Sequence, residues 1–348
     1  MKVGSVMRLC VGTSKGIVIL DTARGGVPLL ISADPPSVWC LARDCYDPRI
    51  IYAGSVQNAQ AGSARGKGSL ARSADGGRTW QDITPPAIRD EEVWAAAASI
   101  HRTGELIIGT SRARVLRSTD GGRSFQECGA FRKISGRDRW SLPVSPYRPR
   151  VRSITFDPTD PESFYVGVEV GGLFRSPDGG GSFERLNHGL PADVQCVAAD
   201  PSDRSRLYVA TGQGLYVSAD RGASWSRAKG LSRHYAVTLF VGGYDAESLY
   251  LAAAAGPPPQ WSIGSLGADA MLFRSSDRGS SFVPFGANGE AGPSRAMLMR
   301  MAAGAEGDGL MYGAFNDGSV VQINERQGSM RTIAEKLPPA YDLIALSE

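Results

Sequence analysis

Cysteine, histidine and long apolar runs are all scarce in this sequence of 348 residues. Five scattered cysteines without a C-x-x-C pair disfavour a disulfide framework or a zinc site. Three dispersed histidines disfavour a histidine-based metal site or catalytic triad. We therefore expect no metal, no cofactor, and five buried, reduced cysteines. The cysteines are Cys10, Cys40, Cys45, Cys128 and Cys196, and the histidines are His101, His188 and His234.

No stretch approaches the roughly 18 consecutive apolar residues that a membrane-spanning helix needs. The first residues also lack the apolar core and the cleavage site of a secretion signal. A net charge of +3 is too small to indicate nucleic-acid binding. These absences predict a cytoplasmic protein that binds neither membrane nor nucleic acid.

Glycine and one repeated motif are abundant. The 43 glycines and 21 prolines accompany a hydrophobic fraction of 42%, which is typical of many short strands joined by tight turns. The pattern S-x-D-x-G-x-[ST]-[WF] occurs five times, each time between a short apolar run and a few polar residues. This order predicts a strand, a tight turn and a second strand. The five copies are RSADGGRTW (72–80), RSTDGGRSF (117–125), RSPDGGGSF (175–183), VSADRGASW (217–225) and RSSDRGSSF (274–282).

Each conserved position of the pattern has a structural use within the turn. The aspartate can accept backbone N–H bonds, the glycine permits a positive φ, and the aromatic ring can pack between neighbouring sheets. We assign these aspartates a structural role and no catalysis. They are Asp75, Asp120, Asp178, Asp220 and Asp277.

The motif resembles the Asp-box (BNR) repeat of sialidases, sortilin-type receptors, xyloglucanase-like glycosidases and photosystem II assembly factors. The resemblance implies an all-β fold: a seven-bladed β-propeller of four-stranded antiparallel blades, forming a single domain over residues 1–348. The chain termini are expected to share the seventh blade, since this pairing removes exposed sheet edges. The other blades fall near 38–87, 91–131, 151–190, 194–231, 236–288 and 296–336.

Three long departures from the repeat all map to the face opposite the Asp boxes. They are 55–69, 131–150 and 256–270. Insertions on one face of a repeat protein indicate a binding face. This face is also rich in arginine, which favours an anionic ligand or an acidic protein surface as partner. The arginines predicted to bind ligand are Arg112, Arg114, Arg139, Arg148, Arg150 and Arg152.

Aligning the blades predicts which residues surround the central axis. The first-strand positions are Trp39, Trp94, Arg152, Gln195, Thr238, Leu298 and Asp342, and the inner turns contribute Lys15, Arg112, Glu169, Gln213, Asn316 and Asp317. From these and the insertions, Trp94, Gln195, Gln213, Asn316 and Trp261 join the predicted ligand-binding set. Glu169 and Asp317 are the candidate catalytic carboxylates.

Two functions remain open. The first is a monomeric, non-catalytic propeller that binds an anionic small molecule or an acidic protein surface. The alternative is a glycosidase-like hydrolase or lyase acting on an acidic sugar or another small anion. There Arg112, Arg139 and Arg152 would hold the anion, with Glu169 or Asp317 as acid/base. Sialidase activity is disfavoured because the N-terminal region lacks a FRIP-type motif, and xyloglucanase-like enzymes usually place their catalytic aspartates between two propellers.

Overall fold

The computed structural model describes residues 7–56, 69–143, 147–242, 247–261, 266–286, 293–305 and 307–347. Within them the chain forms seven four-stranded antiparallel sheets arranged in a ring. The fold is therefore the predicted seven-bladed β-propeller. Parts of all three insertions, 57–68, 144–146 and 262–265, lie outside the described residues. No helix in the described parts is long and apolar enough to cross a membrane.

The first four blades in chain order are each built from consecutive strands. Blade one contains β4 (Val38–Arg43), β5 (Ile51–Ser55), β6 (Leu70–Ser73) and β7 (Gln81–Asp82). Blade two contains β8 (Val93–Ala98), β9 (Leu106–Thr110), β10 (Val115–Ser118) and β11 (Gln126–Glu127). Blade three contains β12 (Arg150–Phe156), β13 (Phe164–Glu169), β14 (Gly172–Ser176) and β15 (Glu184–Arg185). Blade four contains β16 (Val194–Ala199), β17 (Leu207–Thr211), β18 (Gly214–Ser218) and β19 (Ser226–Arg227).

The remaining three blades include the one that closes the ring. Blade five contains β20 (Tyr235–Val241), β21 (Leu249–Ala254), β22 (Met271–Ser275) and β23 (Val283–Pro284). Blade six contains β24 (Leu298–Ala303), β25 (Leu310–Phe315), β26 (Val320–Asn324) and β27 (Ser329–Ala334). Blade seven contains β1 (Met7–Thr13), β2 (Gly16–Asp21), β3 (Val27–Ser32) and β28 (Ala340–Ser347). Two single-turn helices, α1 (Gly129–Arg132) and α2 (Pro258–Trp261), lie in the insertions.

The termini close the ring as the sequence predicts. The C-terminal strand β28 pairs antiparallel with β1, from Met7 opposite Ser347 to Gly12 opposite Asp342. It is the inner strand of blade seven, and it packs against the inner strands of blades six and one. Because both ends of the chain supply strands to one sheet, the ring has no open seam between its termini.

Every inner strand carries a one-residue β-bulge near the end that faces the inter-blade links. The bulged residues, called here the bulge ring, are Trp39, Trp94, Arg152, Gln195, Val237, Met299 and Tyr341. The sequence analysis predicted Thr238, Leu298 and Asp342 at the positions of the bulge ring in blades five, six and seven. That prediction is wrong by one residue in each of these three blades. A bulge adds one residue to a strand without altering the alternation of inward and outward side chains on either side. The sequence pattern alone therefore cannot locate the bulge.

The five S-x-D turns share one hydrogen-bond pattern on the opposite face. In the turn after β18, Ser218 donates to Asp220 Oδ1 (2.7 Å), which also accepts the Ser224 amide (2.9 Å). The Gly222 amide donates back to Ser218 Oγ (2.8 Å), and φ at this glycine is +90°. The same bonds recur at the other four aspartates. Each of these carboxylates therefore makes its hydrogen bonds within its own turn.

The cysteines follow the prediction with one exception. Cys10, Cys40, Cys128 and Cys196 are free and buried, whereas Cys45 is free but exposed. The expectation of burial was therefore wrong at Cys45, which lies just beyond the end of β4. Its thiol contacts the Ser99 carbonyl oxygen at 3.1 Å.

Candidate functional site at the propeller mouth

The bulge ring surrounds the mouth of the central channel, and the mouth has an aromatic side and a polar side. On the aromatic side, the Trp39 ring stacks on Tyr341 with centroids 4.1 Å apart and lies 4.8 Å from Trp94. On the polar side, Arg152 and Gln195 occupy the same level. The mouth therefore combines flat apolar faces with hydrogen-bonding groups, as ligand sites commonly do.

Glu169 and Arg150 form an ion pair at the rim of the mouth. They are direct cross-strand partners, since Glu169 ends β13 and Arg150 begins β12. The side chains are only 10% and 22% exposed, respectively. The Arg150 guanidinium also covers the Trp94 ring, 3.8 Å from its centroid. Arg150 is thus held by both a carboxylate and an aromatic face.

A second carboxyl group, Asp193, lies beside this pair in the link that leads into β16. Gln195 Nε2 donates to Asp193 Oδ1 (2.6 Å) and lies 3.2 Å from the Tyr235 hydroxyl. The amide therefore connects Asp193 to Tyr235, and the charge of Glu169 acts on both of these groups. These residues form a polar cluster, called here the mouth cluster: Arg150, Glu169, Asp193, Gln195 and Tyr235.

The environment drives the pKa values of the two carboxyl groups in opposite directions. Burial opposes ionisation of Glu169, but Arg150 and then Arg152 outweigh it and hold the pKa of Glu169 below its usual value. Burial raises the pKa of Asp193, and the negative charge of Glu169 raises it further. Burial followed by the charges of Asp193 and Glu169 also raises the Tyr235 pKa. A proton added to the mouth cluster therefore binds Asp193 in preference to Glu169.

The structure places the predicted arginines in two different environments. Arg114 is held inward by Glu127 (2.7 Å) and Glu91 (3.1 Å). Arg112 is 50% exposed and lies 3.9 Å from Glu91. Arg139 and Arg148 are exposed in the 131–150 link. Their roles in ligand binding stay predictions, but Glu91 and Glu127 reduce the positive charge that the sequence indicated on this face. Arg150 and Arg152 lie at the mouth itself.

The two predicted tryptophans differ in how they meet the mouth. Trp94 is 8% exposed and lies between Arg150 and Trp39, and its Nε1 donates to Glu92 Oε2 (2.9 Å). Trp261, on α2, is half-buried with its ring edge against Tyr235 and its Nε1 donating to the Gly256 carbonyl (2.7 Å). Trp94 therefore supports the arginine that faces the site, whereas Trp261 packs on Tyr235 from the insertion side.

The inner-turn residues predicted in blades four and six are exposed or make local hydrogen bonds to the backbone and to Ser319. Gln213 is exposed at the tip of the β17–β18 hairpin. Asn316 Oδ1 accepts the Met297 amide (2.8 Å) and so fastens the start of β24. Asp317 Oδ1 accepts the backbone amide (2.9 Å) and the hydroxyl (2.6 Å) of Ser319. No contact within the described residues joins Asp317 to the mouth cluster, so the two predicted catalytic carboxylates are not brought together.

Sequence reasoning missed Asp193 and Tyr235. Asp193 lies two residues before Gln195, which the alignment had placed at the axis, and Tyr235 is the first residue of β20. The available signal was their position at the starts of inner strands, where the links enter the mouth. The repeat alignment compared strand positions and gave no weight to link residues.

Comparison with known proteins finds two kinds of similar protein. No family model matches it. It is 28% identical over 284 residues to a xyloglucanase of Hypocrea jecorina (strain QM6a), covering 80% of this chain and 29% of the relative. The crystal structure of the GH74 xyloglucanase from Xanthomonas campestris matches 99% of this chain and 53% of that chain, with 16% identity and a TM-score of 0.71. The structure of YCF48 bound to D1 peptide matches 85% of this chain and 80% of that one, with 14% identity and a TM-score of 0.57.

The structural matches support the propeller fold alone, because their sequence identities are low. The chain spans less than a third of the curated xyloglucanase and about half of the solved one. What those whole enzymes do is therefore carried to this chain only as a proposal.

Proposed function

We propose that the mouth cluster is a glycoside-hydrolase-like site in which Asp193 is the general acid and Glu169 the general base. The observation that carries the proposal is the pair of interacting carboxyl groups, Glu169 and Asp193, whose pKa values are driven apart. Hydrolysis of a glycosidic bond needs one protonated and one ionised carboxyl group at the same place. The sequence similarity to a xyloglucanase favours a glycan as substrate.

Four members of the mouth cluster have a role in this chemistry. The protonated Asp193 donates its proton to the glycosidic oxygen as the bond from that oxygen to the anomeric carbon breaks. A water molecule forms the new bond to the anomeric carbon, and its proton passes to Glu169. Arg150 keeps Glu169 ionised before the reaction, and Gln195 holds the Asp193 carboxyl group in position. The flat faces of Trp39 and Tyr341 offer an apolar surface for a sugar ring.

A second candidate function, capture of an anionic peptide or acidic protein surface, rests on a separate observation. Arg112, Arg139 and Arg148 are exposed on the same face, and the similar YCF48 structure contains a bound peptide. Reversing the charges at Arg139 and Arg148 should then weaken capture of an acidic peptide, more strongly at low salt than at high salt. Equal capture by the reversed variant at low salt would exclude this candidate.

The hydrolytic proposal is tested by incubating the purified chain with xyloglucan, other β-glucans and uronic-acid-containing glycans, and measuring new reducing ends. Three variants make the test specific: Asp193→Asn, Glu169→Gln and Asp317→Asn. We expect the first two to lose at least about 100-fold in rate, as removal of an acid or base does. The folded state of each variant is checked by its thermal unfolding.

The outcomes separate the alternatives cleanly. Release of reducing ends that depends on Asp193 and Glu169 but not on Asp317 supports the mouth cluster. Loss of activity in Asp317→Asn alone would move the site to the β25–β26 turn and overturn the proposal. Absence of cleavage with every glycan would leave the binding function as the better account.

A further inference from the structure

Tyr235 is the member of the mouth cluster to which the hydrolytic chemistry gives no part. It is the first residue of β20, it is 8% exposed, and its phenol oxygen accepts a hydrogen bond from Gln195 Nε2 (3.2 Å). The same nitrogen donates to Asp193 Oδ1 (2.6 Å). A side-chain amide nitrogen carries two hydrogens, so these two bonds use both of them. Gln195 is therefore held between the phenol and the carboxyl group.

The Tyr235 ring is itself fixed by two neighbouring segments. The Trp261 ring of α2 meets it at 82°, with the centroids 6.4 Å apart, and Trp261 is tied to the Gly256 carbonyl oxygen (2.7 Å). The turn after β17 also lies against the ring, since a Cβ on Gly212 would be 3.3 Å from Tyr235 Cε2. A ring packed in this way presents its hydroxyl to Gln195 at one place.

The bond from Gln195 determines which oxygen of Asp193 carries a proton. Because Oδ1 accepts the amide hydrogen, a proton bound to the Asp193 carboxyl group lies on Oδ2. Oδ2 has no hydrogen-bond partner among the described residues. It lies beside Gly212, where a Cβ would come within 2.3 Å of it. No described side chain therefore holds the proton on Oδ2, and it is free for transfer.

The same bond acts on the protonation of Asp193. Burial, and then the charge of Glu169, raises the pKa of Asp193, whereas the hydrogen bond from Gln195 lowers it by stabilising the ionised form. Tyr235 stays a neutral phenol beside this carboxyl group, because burial and the nearby carboxylates raise its own pKa. The charged groups that act on Asp193 belong to blade three: Glu169, Arg152 and Arg150.

We infer that Tyr235 is a positioning residue, whose hydroxyl holds the Gln195 amide against Asp193 Oδ1 and so keeps Oδ2 as the proton-carrying oxygen. Without the hydroxyl, the Gln195 side chain loses one of its two anchors and can rotate away from Asp193. The ionised carboxylate then loses its N–H donor. The placement of the amide follows from the geometry, and its use in catalysis rests on the hydrolytic function proposed above.

The test is Tyr235→Phe, which removes only the hydroxyl. The titration of Asp193 is followed by carboxyl ¹³C NMR on aspartate-labelled protein, with Asp193→Asn to assign the signal. We expect its midpoint to move to higher pH by about one pH unit, because the ionised form loses a hydrogen bond. Tyr312→Phe is the matched control, since Tyr312 accepts a bond from Gln322 Nε2 at the same 3.2 Å in blade six. It should leave the Asp193 midpoint unchanged.

A second variant, Gln195→Leu, shows whether Tyr235 acts through Gln195. It removes the N–H donor and should itself raise the Asp193 midpoint, and Tyr235→Phe should add nothing in that background. In glycan hydrolysis, Tyr235→Phe should lower kcat about tenfold with little change in KM. The alkaline limb of its pH profile should move upward together with the Asp193 midpoint.

An unchanged midpoint in Tyr235→Phe would overturn the inference. So would an equal rise in the Gln195→Leu background, which would show that the phenol acts on Asp193 directly. If Tyr235→Phe does not fold, Trp261→Leu frees the ring from the insertion side and should raise the midpoint only while Gln195 is present. Since the titration uses no glycan, failure of the positioning role and failure of the hydrolytic function are distinguishable.

Discussion

A methyl group added at Gly212 should disable the mouth cluster without unfolding the propeller. Gly212 lies in the turn after β17, and its amide donates to the Asp193 carbonyl (3.2 Å). A Cβ built on Gly212 would overlap the Asp193 carboxylate and lie 3.3 Å from both Asp193 Cγ and Tyr235 Cε2. The φ angle at Gly212 is not in the left-handed region, so alanine is compatible with the backbone itself.

The size of the effect follows from the overlap. To restore ordinary contact the Asp193 carboxylate must move by about 1 Å, and a displacement of that size in a catalytic group costs on the order of 100-fold in rate. We expect Gly212→Ala to lower kcat/KM for glycan hydrolysis by about that factor, with a stability loss of about 1–2 kcal/mol.

The assay measures kcat/KM and Tm side by side for Gly212→Ala and for Gly129→Ala. Gly129 is the matched control, because a Cβ there meets no atom within 4 Å. It should change neither quantity appreciably. Full activity in Gly212→Ala, with Asp193 displaced in its crystal structure, would refute the role given to Asp193.

Three further predictions test other parts of the account. Arg150→Gln removes the ion-pair partner of Glu169, so the pKa of Glu169 in the folded protein should rise. The stabilisation that ionised Glu169 gives at pH values above its pKa in the unfolded chain should then be lost. Chemical denaturation at neutral pH should show this as a decrease of about 3 kcal/mol in the free energy of unfolding. Asp75→Ala should lower stability by about 1 kcal/mol in the same assay, because four hydrogen bonds near the surface are lost, whereas the exposed Asp138→Ala should be neutral. Ending the chain at Pro339 removes β28 and should abolish the cooperative thermal transition; a retained transition would contradict closure through β1 and β28.

The repeat made most of the fold predictable from the sequence. Five gapless copies of S-x-D-x-G-x-[ST]-[WF] set the blade length, and the leftover terminal segments matched the missing strands of blade seven. Both features depend on local turn chemistry and strand alternation, which a sequence displays directly. The bulge ring was missed at Val237, Met299 and Tyr341 because a one-residue bulge leaves the flanking alternation intact.

The site was predictable only in part. Glu169 and Gln195 were found because the repeat aligns the inner turns and the first strands, and Arg150 was found because it ends the arginine-rich link 131–150. Asp193 was missed because it belongs to a link, and links carry no periodic signal. The inward pairing of Arg114 with Glu127 was not predicted either, because Arg114 lies in the turn before β10 and turn residues carry no periodic signal.

The pH dependence of kcat/KM for glycan hydrolysis by the unaltered chain tests the central claim most directly. The account requires ionised Glu169 and protonated Asp193 together. It predicts a bell-shaped profile whose acidic limb lies below the ordinary glutamate pKa of about 4.3 and whose alkaline limb lies above the ordinary aspartate pKa of about 3.9. An acidic limb above about pH 4.3, or a profile without an alkaline limb, would contradict the assignment of Asp193 as acid and Glu169 as base.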